Sequence, residues 1–206
     1  MAMLLGACGG ESSSDANEQA GTYEVAVTEA SFPTEQQLGQ TSLLKLGFRN
    51  SGKKTVPTLA VTISVGGKQG SESALPFGVR DSQEGLSQAD RPVWVLAATY
   101  PRLSGSSEAG GASTSNPKTF TFGPLKPGKT MKAVWKLSAV KAGKFTLRYG
   151  VAAGLSGEAK AKTANGVAPG GSFATEISAV TPDVEVNDDG EVVEKAQQRE
   201  RGQPGA

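Results

Sequence analysis

The sequence predicts an all-β protein, an antiparallel β-sandwich of about seven to nine short strands. Three observations lead there. Apolar residues recur at every second position through several stretches, the period of strands with one buried face. The 206 residues include 27 Gly and 11 Pro, together with many Ser and Thr, a composition that favours strands joined by turns over helices. The length suits one domain with a real core, plus tails.

The first strand begins at Tyr23, where Tyr23, Val25 and Val27 alternate with Glu24, Ala26 and Thr28. In the second, Leu44, Leu46 and Phe48 alternate with Leu43, Lys45 and Arg49, and Asn50-Ser51-Gly52-Lys53 supplies a turn. Leu59, Val61, Ile63 and Val65 line one face of the next strand, with Pro57 tolerable near its start. Phe120 and Phe122 open a further strand pair. Met131, Ala133, Trp135 and Leu137 then oppose Lys132 and Lys136, a sheet with one wet side. Lys141-Ala142-Gly143-Lys144 reverses the chain into Phe145, Leu147, Tyr149 and Val151, and a hairpin is the simplest connection. Ala159 to Thr163 and Phe173 to Ala179 complete the set.

Residues 70–118 form a long insert. Inserts of this size are commonly functional or disordered. Pro92 to Thr99 is apolar at successive positions and reads as a strand covered from both sides, whereas Ser104 to Asn116 is low-complexity and reads as mobile. Trp94 and Tyr100, with Arg91 and Arg102 nearby, are the candidate binding surface, because aromatics and Arg dominate binding hot spots. The competing reading makes Trp94 a core residue and the arginines solvated or paired.

The run Leu-Lys-Pro-Gly-Lys-Thr (125–130) leads into a strand with a central tryptophan, and Ala-Gly-Lys-Phe-Thr-Leu-Arg-Tyr (142–149) follows it. With Leu-Lys-Leu-Gly-Phe-Arg-Asn-Ser-Gly-Lys-Lys-Thr (44–55), these segments resemble bacterial immunoglobulin-like domains, including the cell-adhesion-related domain of bacterial surface proteins. The resemblance covers most of residues 22–180. It implies an immunoglobulin-like sandwich in an extracytoplasmic setting and carries over no catalytic residue. No cysteine pair is present to clamp the sheets.

The single cysteine lies at position 8, after Leu5-Gly6-Ala7. This tetrapeptide resembles the bacterial lipobox, whose cysteine receives a diacylglyceryl group and becomes the first mature residue. Residues 1–7 would then be the remnant of a signal peptide, although they lack a basic n-region and a full apolar stretch. The competing reading is a cytosolic chain with a chance match. Residues 8–21 are small, polar and acidic, the composition of a flexible tether, with an r.m.s. span of about 20 Å for a dozen residues. At the other end, residues 181–206 read as a hairpin and a disordered tail. Glu185, Asn187, Asp189 and Gly190 follow the order of a calcium loop's first half, but Ala196 stands where the bidentate acid belongs. A turn at Asp188, Asp189 and Gly190 is the preferred account.

The composition narrows the chemistry. The chain has no histidine and one cysteine, so internal disulfides, Cys/His zinc sites and His-based triads are excluded. Lys plus Arg number 21 against 20 for Asp plus Glu, which provides no overall field toward nucleic acid or anionic membrane. Ser-x-x-Lys occurs at Ser51/Lys54, Ser115/Lys118 and Ser138/Lys141, at turns or in the insert where a solvated lysine makes a poor base. Acids such as Glu24 and Glu176 sit in surface alternation rather than in apolar pockets that would raise their pKa. The expectation is therefore no enzyme, no cofactor and no nucleic acid. The chain reads as a lipid-anchored, extracytoplasmic module of the cell membrane that binds an envelope protein or cell-wall polymer, or serves a structural role. The alternative is a soluble accessory domain that adds to a partner's sheet edge; a Ser-Lys or carboxylate hydrolase is the residual one.

Overall fold

The structure, a computed structural model, describes residues 18–67, 76–79, 92–105, 111–113, 118–180, 184–186 and 192–194. Cys8, Arg91, Ser115, the turn at Asp188 to Gly190 and Ala196 lie outside them. No helix occurs among the described residues. The strands are β1 (Gly21–Ser31), β2 (Glu35–Gln37), β3 (Thr41–Asn50), β4 (Ala60–Gly67), β5 (Gly78–Val79), β6 (Trp94–Leu96), β7 (Arg102–Leu103), β8 (Ala112–Ser113), β9 (Thr119–Thr121), β10 (Thr130–Ala139), β11 (Gly143–Ala152), β12 (Ala159–Lys162), β13 (Gly170–Ser178), β14 (Val184–Val186) and β15 (Val192–Glu194).

Two sheets make the sandwich. The first has the order β12-β1-β3-β10-β6-β5, with β7 also on β10, and the second the order β2-β13-β11-β4-β9-β8. β14 and β15 pair with each other, antiparallel. β1, β3, β4, β10, β11 and β13 run eight to eleven residues and carry the architecture. The strand number exceeds the expected seven to nine because short pieces of two to four residues dock beside these six. Most pairings are antiparallel, while β1–β12, β2–β13 and β5–β6 are parallel.

The alternating positions face inward as their period requires. Val25 on β1, Leu44, Leu46 and Phe48 on β3, Val61 and Ile63 on β4, Ala133, Trp135 and Leu137 on β10, and Leu147 on β11 are all fully buried. Each of the valine, leucine, isoleucine and phenylalanine side chains contributes about 1.5–3 kcal/mol on leaving water. Without a disulfide, aromatic contacts join the layers. Trp135 of the first sheet meets Phe120 and Phe122 edge-on, with ring centroids 5.9 and 5.7 Å away. Trp94 likewise meets Phe32 at 5.4 Å and Phe145 at 6.1 Å. Such edge-to-face pairs add about 0.5–1.5 kcal/mol each beyond their burial.

Two connections differ from expectation. β10 and β11 do not form a hairpin: β10 pairs with β3, β6 and β7, and β11 with β4 and β13. The segment 140–142 instead arches between the sheets. Both strands have an apolar face, and an arch lets Trp135 and Leu147 meet the same core from opposite sides. Nor is the Pro92–Thr99 segment covered on both sides. Only Trp94–Leu96 is strand, Val95 is half-buried, and Ala98 and Thr99 are exposed, because no strand among the described residues overlies the outer face of the first sheet there.

Candidate functional site

Of the four residues expected to form a binding surface, Arg91 lies outside the described residues, and the other three separate into two environments. Trp94 is fully buried, and its indole N–H donates to Gln36 Oε1 at 2.9 Å. Gln36, itself 3 % exposed, is placed there by β2 at the edge of the second sheet. This bond between layers satisfies both buried groups and leaves no face of Trp94 for a ligand. Tyr100 and Arg102 do come together. The guanidinium carbon lies 4.6 Å from the Tyr100 ring centre, Arg102 Nε donates to the Thr99 carbonyl at 2.9 Å, and Nη2 reaches Thr99 Oγ1. Arg102 thus turns its donors back onto its own loop, a local staple on a half-buried tyrosine.

The two Ser-x-x-Lys pairs that are described in full, Ser51/Lys54 and Ser138/Lys141, fall on a turn and at a strand end. Ser138 Oγ is hydrogen-bonded to Thr41 Oγ1 at 2.9 Å across β10 and β3. Ser51 and Lys54 are exposed in the loop after β3. Among the described residues no group of three or more acidic, Cys or His side chains could hold a metal ion.

The two ends of the sandwich differ. At one end, β2 and the last part of β13 border two open grooves. One, of about 500 Å³, is lined by Glu35, Gln36, Gln37, Gln40, Glu176 and Ser178. Its neighbour, of about 430 Å³, shares Glu35 and Glu176 and adds Lys144, Phe145 and Thr146. Glu35 and Glu176 stand side by side in the parallel β2–β13 register, and Lys144 pairs with Glu176 at 3.0 Å. These walls offer hydrogen bonds and one aromatic edge, the chemistry that suits a polar partner.

The opposite end collects the chain entry and three loops. Glu18, three residues before β1, accepts hydrogen bonds from the Leu155 and Ser156 N–H groups at 2.7–3.0 Å. Gly154 makes room for it, since a Cβ there would collide with the Glu18 carboxylate. Tyr23 adds a bond from its hydroxyl to the Gln19 carbonyl at 2.7 Å. Beside this clamp, Asn50 ends β3 fully buried. Its side-chain amide donates to the Lys54 carbonyl at 2.8 Å and the Leu125 carbonyl at 2.7 Å, while Oδ1 accepts from Gly52 N–H at 3.0 Å. Backbone bonds from Asn50 N to Lys129 O and from Gly128 N to Asn50 O complete the knot. Asn50 was legible as a turn residue, since Asn-Ser-Gly marks one. Its second role, joining loops 51–54 and 125–129, has no local signal, and neither does the grip on Glu18.

The fold defines an immunoglobulin-like β-sandwich, all-β with two packed sheets. Neither the known protein families nor the curated proteins contain a match to the chain. Among solved structures, it is similar to the CARDB domain of a Pyrococcus furiosus protein determined with di-metal ions, at 11% identity and a TM-score of 0.40, covering 76% of this chain and 86% of that one. A PapD-like domain of human CEP192 gives 12% identity and a TM-score of 0.40, covering 88% and 99%. An Escherichia coli alpha-2-macroglobulin fragment gives 16% and 0.41, over 77% of this chain and 17% of that one.

Proposed function

We propose that this protein is a lipid-anchored, extracytoplasmic immunoglobulin-like module, held to the cell membrane through Cys8, with a binding or structural role toward an envelope protein or cell-wall polymer. The observation that supports the reading is the distance in sequence between anchor and clamp. Nine residues, Gly9 to Asn17, separate Cys8 from Glu18, the residue gripped by the Leu155 and Ser156 amides at one end of the sandwich. A lipid on Cys8 would hold that end toward the membrane and present the grooves around Glu35 and Glu176 outward. Surface binding is favoured over edge addition because the strands that end each sheet, β12, β5, β2 and β8, are only two to four residues long among the described residues. No helix among the described residues is long and apolar enough to cross a membrane. In the anchored reading the acyl chains supply the hold, at about 0.8 kcal/mol per buried methylene.

Intact-mass spectrometry of the protein from its native membranes tests this. Acylated Cys8 as the first residue, with Met1 to Ala7 removed, is the expected result. A free thiol with those seven residues retained would refute the anchor.

A further inference from the structure

We infer that the end of the sandwich carrying the chain entry is a basic membrane-facing surface that docks on anionic phospholipid headgroups. The inference rests on the anchored reading for the membrane's position. Its evidence is separate.

Lys53 and Lys54 lie in the loop after β3, Lys126 and Lys129 in the loop before β10, and all four are exposed. The loops are some 70 residues apart in sequence, yet Asn50 binds both, through the Lys54 and Leu125 carbonyls and the Lys129 backbone. The register places this knot at the chain-entry end. Asn50 is opposite Val25 near the start of β1, Ser51 N–H donates to the Glu24 carbonyl, and Thr130 at the start of β10 pairs with Arg49. Arg49, exposed, adds a fifth positive charge.

Among the described residues outside β14 and β15, the carboxylates at this end are Glu18, Glu24 and Glu158. Glu18 is turned onto the Leu155 and Ser156 amides, so its charge is already met. Glu24 and Glu158 are exposed and offset only part of the lysine charge. At the far end Glu176 pairs with Lys144, and Glu35 stands beside it. The near-zero charge of the whole chain thus conceals a difference between its ends.

Geometry selects the occupant. As a flexible coil, the ten steps from Cys8 to Glu18 span about 17 Å r.m.s.. A ten-residue strand such as β3 or β10 is itself about 33 Å long. An anchor this short therefore keeps the entry end nearest the lipid, where lysines on exposed loops come within the ~8 Å Debye length of an anionic surface. A soluble polyanion would have no reason to favour the end at which the chain enters.

The test uses the full chain as Cys8→Ser, which carries no lipid, in flotation with vesicles of phosphatidylcholine alone or with phosphatidylglycerol in equal part, at low ionic strength. The expected result is binding to the anionic vesicles only, weakening as salt is added. Lys126→Glu with Lys129→Glu should reduce it about tenfold or more. Lys45→Glu with Lys136→Glu makes the same change in net charge on the outer face of β3 and β10, and should change binding less than about twofold. Matching melting curves establish that both variants fold. Equal loss in the two variants, no preference for anionic vesicles, or capture by soluble polyphosphate without vesicle binding would overturn the inference. These outcomes are independent of the mass of native Cys8, so the docking surface and the anchor can fail separately.

Discussion

Removing the amide of Asn50 should cost more stability than its place in a turn suggests. In Asn50→Ala the Lys54 carbonyl and the Gly52 N–H lose a partner, and the Leu125 carbonyl keeps only its bond from Val56 N–H. Three hydrogen bonds at about 1 kcal/mol each, with a further penalty for polar groups left buried, give about 3–4 kcal/mol. Against a total of about 5–15 kcal/mol for a domain, that is a large fraction. At about 2–4 °C per kcal/mol for a body of this size, the melting temperature should fall by roughly 10 °C. Urea denaturation measures the free energy directly. Asn50→Asp sharpens the test, because its carboxylate would face two carbonyls and must be protonated to donate to either. Its folded pKa is therefore raised, so the stability it regains is present at low pH and lost as pH rises through that value. A loss below about 1 kcal/mol in Asn50→Ala, or an Asp variant insensitive to pH, would refute the assigned knot.

Further predictions concern the core and the clamp. Trp94→Phe should destabilise by about 1–3 kcal/mol more than Trp135→Phe, since it leaves Gln36 Oε1 buried without its donor, whereas Trp135 Nε1 has no hydrogen-bond partner among the described residues; parallel urea titrations check the order. Trp94→Ala should cost about 3–5 kcal/mol, showing up as a lost or much lowered unfolding transition rather than as a selective loss of binding. Gly154→Ala should expel the Glu18 carboxylate and speed amide exchange at Leu155 and Ser156, seen by mass spectrometry, with the rest of the sandwich protected as before. Burial raises the Tyr149 phenol above its ordinary value of 10.0. Its stabilising effect is complete below that value and is lost as pH rises through the higher folded one, which tyrosinate absorbance alongside alkaline unfolding would follow.

The inward faces of the long strands were legible from alternation alone, because the pleat repeats every two residues whatever the strand pairs with. Leu44, Leu46 and Phe48, or Ala133, Trp135 and Leu137, needed no knowledge of the fold. The candidate site was far less legible. Trp94 is as apolar in sequence as a surface anchor would be, and only the position of Gln36, 58 residues earlier, makes it a bonded core residue. Tyr100 and Arg102 lie together, two residues apart in sequence, but the direction of the guanidinium depends on how the loop closes on Thr99.

By itself, then, the sequence determined which face of each long strand is buried, that strands rather than helices bury it, and which catalytic designs its composition excludes. Those properties follow from residue type and local period. Tertiary structure decided the rest: that β10 and β11 belong to different sheets, that Asn50 serves two loops, and that four lysines from distant segments share the end at which Glu18 enters. Strand pairing and loop proximity depend on how distant faces share one core, which no local pattern encodes. Net charge is a sum that discards position, so a chain with almost equal numbers of acids and bases can still fold into a body with one basic end.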